Sequence, residues 1–61
     1  MRDKYINFMK EQGEPLSTQD FMDEFSKYKI DVLFVLDRLV IEGVVSVDKS
    51  GESFMWSLTN E

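Results

Sequence analysis

The side chains here that could do chemistry are the charged ones, because histidine and cysteine are both absent from the 61 residues. Without them the commonest general base and the thiol nucleophile are missing, and so are thiolate metal ligands. Asp20, Asp23 and Glu24 share one face of a short helical segment and could in principle hold a hard cation. Carboxylates in the first turns of a helix more often simply oppose its dipole. The expectation is therefore no metal, no cofactor, no small-molecule substrate and no catalysis.

Phosphate binding is the other chemistry open to such side chains. Lys27, Lys29, Arg38 and Lys49, with the hydroxyl of Ser50, are the candidates for contact with duplex DNA. A net charge of −5 works against them. Its distribution matters more than its sum. Residues 1–26 carry three basic against six acidic side chains, and residues 27–52 carry four against five. The acidity is concentrated in the first half, so nucleic-acid binding is weakened rather than excluded.

The stretch that must position these groups is Ile30 to Val45, I-D-V-L-F-V-L-D-R-L-V-I-E-G-V-V. Val32, Val35, Leu36 and Leu39 recur at helical spacing, which predicts one buried face. Gly43 supplies the left-handed residue that closes such a helix, and β-branched Val44 and Val45 then start a strand. Leu33, Phe34, Val40 and Ile41 are apolar as well. At ~100° per residue the eight positions sweep roughly two-thirds of the circumference, leaving Asp31, Arg38 and Glu42 as the polar remainder. A chain of this size buries only about 60% of its unfolded surface, and no disulfide can reinforce it. The surplus apolar side is expected to meet a protein partner or a second copy.

Asp3 to Gln12 predicts a first helix, with Asp3 as its cap, Tyr5, Ile6, Phe8 and Met9 as apolar positions, and Gly13 as its stop. Glu14-Pro15-Leu16 cannot continue a helix and is an extended connector with room for one short strand. Ser17 to Asp20 has the capping-box spacing and opens a second helix over Thr18 to Phe25, burying Phe21, Met22 and Phe25. Ser26-Lys27-Tyr28 then turns tightly into the third helix. Past Gly43 the period becomes two. Val45 and Val47, then Phe54, Trp56 and Leu58, alternate with polar or smaller neighbours across a loop at Lys49-Ser50-Gly51-Glu52, which predicts a hairpin. Thr59-Asn60-Glu61 is a polar tail. No apolar run approaches the ~20 residues that cross a bilayer, and the N-terminus has no signal-peptide segment. One domain over residues 1–61 is expected, cytoplasmic, or nucleoid-associated if it binds DNA, with no membrane contact.

Helix, short extended piece, helix, tight turn, helix and hairpin is the order of a winged helix-turn-helix. Within it, Val32 to Val45 resembles the recognition helix and first wing strand of the MarR-type regulators, where an aspartate-arginine-leucine triplet precedes a glycine and two aliphatics. Asp37-Arg38-Leu39, Gly43 and Val44-Val45 match that pattern. The resemblance stops short of the flanking helices through which MarR proteins dimerise. The helix-glycine-hairpin ending is also similar to the winged-helix tail of the middle subunit of eukaryotic replication protein A, which binds proteins and not DNA. The expected fold is α+β, three helices followed by a two-stranded β-hairpin wing.

In a DNA-reading winged helix the exposed positions of the third helix need donors or acceptors for base edges. The resemblance assigns those positions to Lys29, Leu33, Phe34, Asp37 and Arg38. Family members usually carry serine and arginine where Leu33 and Phe34 stand here. Phenylalanine supplies no hydrogen bond, and Asp37 would repel phosphate. Tyr28 stands where a serine or threonine cap is usual. The wing offers Lys49 alone, flanked by Asp48 and Glu52, so few counterions would be released on DNA. The expected function is a non-enzymatic binding module, a small viral or mobile-element regulator that docks on transcription or replication machinery. Its contact residues would be Ile30, Leu33, Phe34, Val40 and Ile41. The alternative is a DNA-binding transcriptional regulator that dimerises to assemble enough positive surface.

Overall fold

A computed structural model describes residues 2–59. The first helix, α1 (Arg2–Gln12), buries Tyr5 and Met9 and ends at Gly13, whose N–H reaches the Met9 carbonyl at 3.1 Å and whose φ of 65° turns the following chain out of the helix. Its start differs from expectation. Asp3 lies within the first turn and is not the cap, so its carboxylate opposes the positive end of the helix from inside. After Pro15 the chain forms a two-residue strand, β1 (Leu16–Ser17). Ser17 then caps α2 (Thr18–Phe25) reciprocally with Asp20. The Asp20 N–H donates to Ser17 Oγ at 3.3 Å, and the Ser17 N–H donates to Asp20 Oδ2 at 3.0 Å. Ser26, in the left-handed region at φ 52°, ends the helix.

The third helix, α3 (Lys29–Ile41), starts from Tyr28, which offers no side-chain cap. It ends in a Schellman motif. Gly43 sits at φ 81° and donates to the Val40 carbonyl, and the Val44 N–H donates to the Leu39 carbonyl, both at 3.0 Å. That turn feeds β2 (Val45–Asp48), which pairs antiparallel with β3 (Met55–Leu58) in the register Val45↔Leu58 and Val47↔Trp56. The sheet has three strands, not two, because β1 adds to the far edge of β3 through Leu16↔Trp56 in the order β1-β3-β2. The strand β3 also begins one residue later than the alternation suggested, leaving Phe54 in the loop. Thr59 fastens the end of β3 to the α3–β2 turn, its hydroxyl donating to the Gly43 and Val44 carbonyls. The remainder of the expected polar tail, Asn60 and Glu61, lies outside the described residues.

Between the helices and the sheet sits a core of Tyr5, Met9, Leu16, Phe21, Val32, Leu36, Leu39, Val45 and Trp56. Trp56 is buried, and its indole N–H donates to Thr18 Oγ1 at 3.0 Å, tying β3 to the start of α2. Among the described residues no helix is long and apolar enough to cross a membrane.

Candidate interaction surface

The inner face of α3 carries Val32, Leu36 and Leu39, all fully buried. Opposite them the helix turns Ile30, 77% exposed, and Phe34 and Ile41, each 73% exposed, towards solvent. At 3.6 residues per turn these three fall within about 40° of one another around the helix axis, with Asp37 and Arg38 flanking the stripe. Leu33 and Val40 lie on the flank towards the hairpin, half-buried and packed against the core. The expectation that the surplus apolar side chains could not all be covered therefore divides residue by residue. The body of the domain partly covers Leu33 and Val40, and it leaves Ile30, Phe34 and Ile41 bare.

Between this helix and the hairpin runs an apolar groove of about 430 Å³. Ile30, Leu33, Phe34, Asp37 and Val40 form one wall, and Val47, Lys49, Phe54 and Trp56 form the other. Four of the five expected contact residues meet here. Ile41 lies on the same outer stripe but outside the groove. Past Leu33 and Phe54 a second depression, of about 380 Å³, continues to Lys29, Glu52 and the start of α2. Val47 and Phe54 belong to this surface although the residue pattern did not single them out. The alternation put Phe54 in the inward row with Trp56. Because β3 starts at Met55, the Phe54 ring instead stands edge-on to Trp56 at 6.2 Å and remains 40% exposed.

The basic candidates are dispersed and partly engaged. Lys49 holds its ammonium 5.3 Å from the centre of the Phe54 ring, a cation–π contact. Ser50 donates both its hydroxyl, at 2.6 Å, and its N–H, at 2.9 Å, to Asp48 Oδ1. Those two bonds hold the Asp48 carboxyl below the usual aspartate range. Arg38 stands 3.8 Å from Glu42, which also pairs with Arg2. Lys27 and Lys29 are exposed at the entry to α3. Lys29 and Arg38 are separated by about 14 Å of helix axis.

Two of the three carboxylates of α2 have partners of their own. Asp20 closes the capping box, and Asp23 accepts from Gln19 Nε2 at 2.9 Å. Among the described residues no group of three or more carboxylates is placed to hold a metal ion.

No protein-family model matches the sequence, and no curated protein matches it. In fold the chain is similar to dissimilatory sulfite reductase D, known from a neutron crystal structure. The TM-score is 0.81 at 25% identity, covering 97% of this chain and 89% of that one. Likeness over nearly the whole of both chains, with the element order above, makes this an α+β protein with a winged-helix-like fold.

Proposed function

We propose that the chain is a non-enzymatic winged-helix module that acts by binding protein, a small regulator that docks through the outer face of α3. The observation that carries this is the exposure of Ile30, Phe34 and Ile41 on a helix whose opposite face is fully buried. Large apolar side chains clustered on a small domain mark association sites, and aromatic and aliphatic groups with few charges are the material of an interface core. The Asp37-Arg38-Leu39 segment keeps the look of a recognition helix, while the outward side chains around it lack the donors that read base edges. Lys49, folded over Phe54, and Ser50, bonded to Asp48, contribute to the shape of the wing in this reading and not to phosphate contact. Transcription or replication machinery is the class of partner that suits such a module.

The substitution Phe34→Glu tests this. The ring is exposed, so the fold should persist while complex or dimer formation is abolished, and Lys49→Ala should change little. Gel shifts on mixed duplexes at low salt supply the opposing result. Tight DNA binding that falls steeply with salt, and that Lys29→Ala and Arg38→Ala weaken, would overturn the proposal in favour of a DNA-binding regulator.

A further inference from the structure

The exposed stripe of α3 is complementary to itself. From Phe34 to Ile41 the helix reads Phe-Val-Leu-Asp-Arg-Leu-Val-Ile. Its chemical types mirror about the peptide between Asp37 and Arg38, with an acid on one side of the centre and a base on the other. The inner members of the mirror, Leu36 and Leu39, are consumed by the core. The outer members, Phe34, Asp37, Arg38 and Ile41, all face solvent. A two-fold contact is isologous, so residue i meets residue j of the other copy and j meets i. Two α3 helices crossing antiparallel about that central peptide place Phe34 against Ile41 of the second copy twice. The same register places Asp37 against Arg38 of the second copy twice.

Resting on the reading above, we infer that the outer face of α3 is the two-fold interface of a homodimer with this Phe34–Ile41 and Asp37–Arg38 register. The charges are free to serve it. Among the described residues Asp37 makes no ion pair, and Arg38 has only the loose contact with Glu42, 69% of its side chain being exposed. The acidic excess does not stand in the way. Glu14, Asp20, Asp23 and Glu24 gather around a depression on α1 and α2, away from the outer face of α3. An interface of one helix pair is small, so the dimer is of the weak, exchanging kind.

Sedimentation across a range of concentration, on four variants at exposed positions, tests the register. The intact chain should dimerise reversibly. Asp37→Arg alone sets two arginines against an arginine pair, and Arg38→Asp alone sets two aspartates against an aspartate pair. Each should weaken the dimer about tenfold or more. The double exchange Asp37→Arg/Arg38→Asp should restore it, and the two single variants, mixed, should form a heterodimer that neither forms alone. Urea midpoints close to that of the intact chain confirm that each variant is folded. A dimer that ignores all three charge variants overturns the register, and if Phe34→Glu still dissociates it, the apolar-face reading stands. A chain that stays monomeric throughout overturns the homodimer. If that monomer also shifts duplex DNA through Lys29 and Arg38, the wider reading falls with it.

Discussion

On the α1–α2 flank four aromatic rings, Tyr5, Phe8, Phe21 and Phe25, meet one another at centroid separations from 4.6 to 6.5 Å. On the α3–wing flank Phe34 meets no ring among the described residues, and Ile30 and Ile41 stand as bare as it does. Both flanks belong to short amphipathic helices of one small domain, so thinness of the core cannot by itself explain why one is closed and the other open. The chain is able to bury aromatic groups where its own elements meet. On α3 the apolar groups left outside, Ile30, Phe34 and Ile41, share one face, and Tyr28 and Phe54 are exposed beside it. That contrast gives the first flank to stability, and the contact role proposed for the second rests on it.

The comparison is broken most directly by truncating one ring on each side. Phe21→Ala removes a fully buried ring from the cluster and should cost about 3–5 kcal/mol, enough to unfold much of so small a domain. Phe34→Ala should change the unfolding free energy from urea melts by no more than about 0.5 kcal/mol. Equal losses at the two positions would mean that Phe34 supports the fold. The helix starts sharpen the same contrast. Ser17→Ala breaks the capping box of α2 and should cost about 1 kcal/mol. Tyr28→Ser offers α3 the cap it lacks and should raise stability by a few tenths to about 1 kcal/mol. A fall in the thermal midpoint of Tyr28→Ser would show that the exposed tyrosine has a structural task.

How much of this was legible in the residues differs from element to element. Gly43 followed by two valines announced the end of α3 and the start of β2, because a left-handed residue and a change of period are local signals. The Ser17–Asp20 box was legible for the same reason. For β1 the residues showed only room for one short strand after Pro15, and not its pairing. The strand is two residues long, and its pairing partner Trp56 lies near the other end of the chain, so no local pattern records that pairing. The surplus of apolar residues on α3 was visible, but its division was not. Periodicity finds the stripe, whereas the hairpin decides that Leu33 and Val40 are half covered. Nor does spacing report that Lys49 folds back onto Phe54, since that contact depends on where β3 begins.

Two smaller effects separate the flanks by pH. The Tyr5 hydroxyl is buried without a hydrogen-bond partner, and burial, with the Asp31 charge in addition, pushes its pKa up from 10.0. Its stabilising contribution is full below pH 10 and is lost as the pH rises through the raised folded value. Tyr5→Phe should therefore be neutral or mildly stabilising at pH 7, and it should remove part of the alkaline fall in a series of urea melts. At the wing tip the sign reverses. The Ser50 bonds hold Asp48 below 3.8, so the contribution is present above that pH and is lost as the pH falls through the lowered folded value. Asp48 is fully exposed, so this effect should be the smallest of all. Carboxyl resonances followed by NMR should show Asp48 titrating below the ordinary value, and Ser50→Ala, which removes the hydroxyl bond and keeps the N–H bond, should bring it part of the way back up.

The most direct test of the outer face of α3 as a contact surface is a dilution series of amide NMR spectra. From dilute to concentrated protein, the shifts should move at Ile30, Phe34, Asp37, Arg38 and Ile41 and at neighbouring Phe54, while those of Asp20 to Glu24 stay still. Shifts that gather on α1 and α2 instead would contradict the account, and spectra unchanged over the whole series would contradict the homodimer on that face.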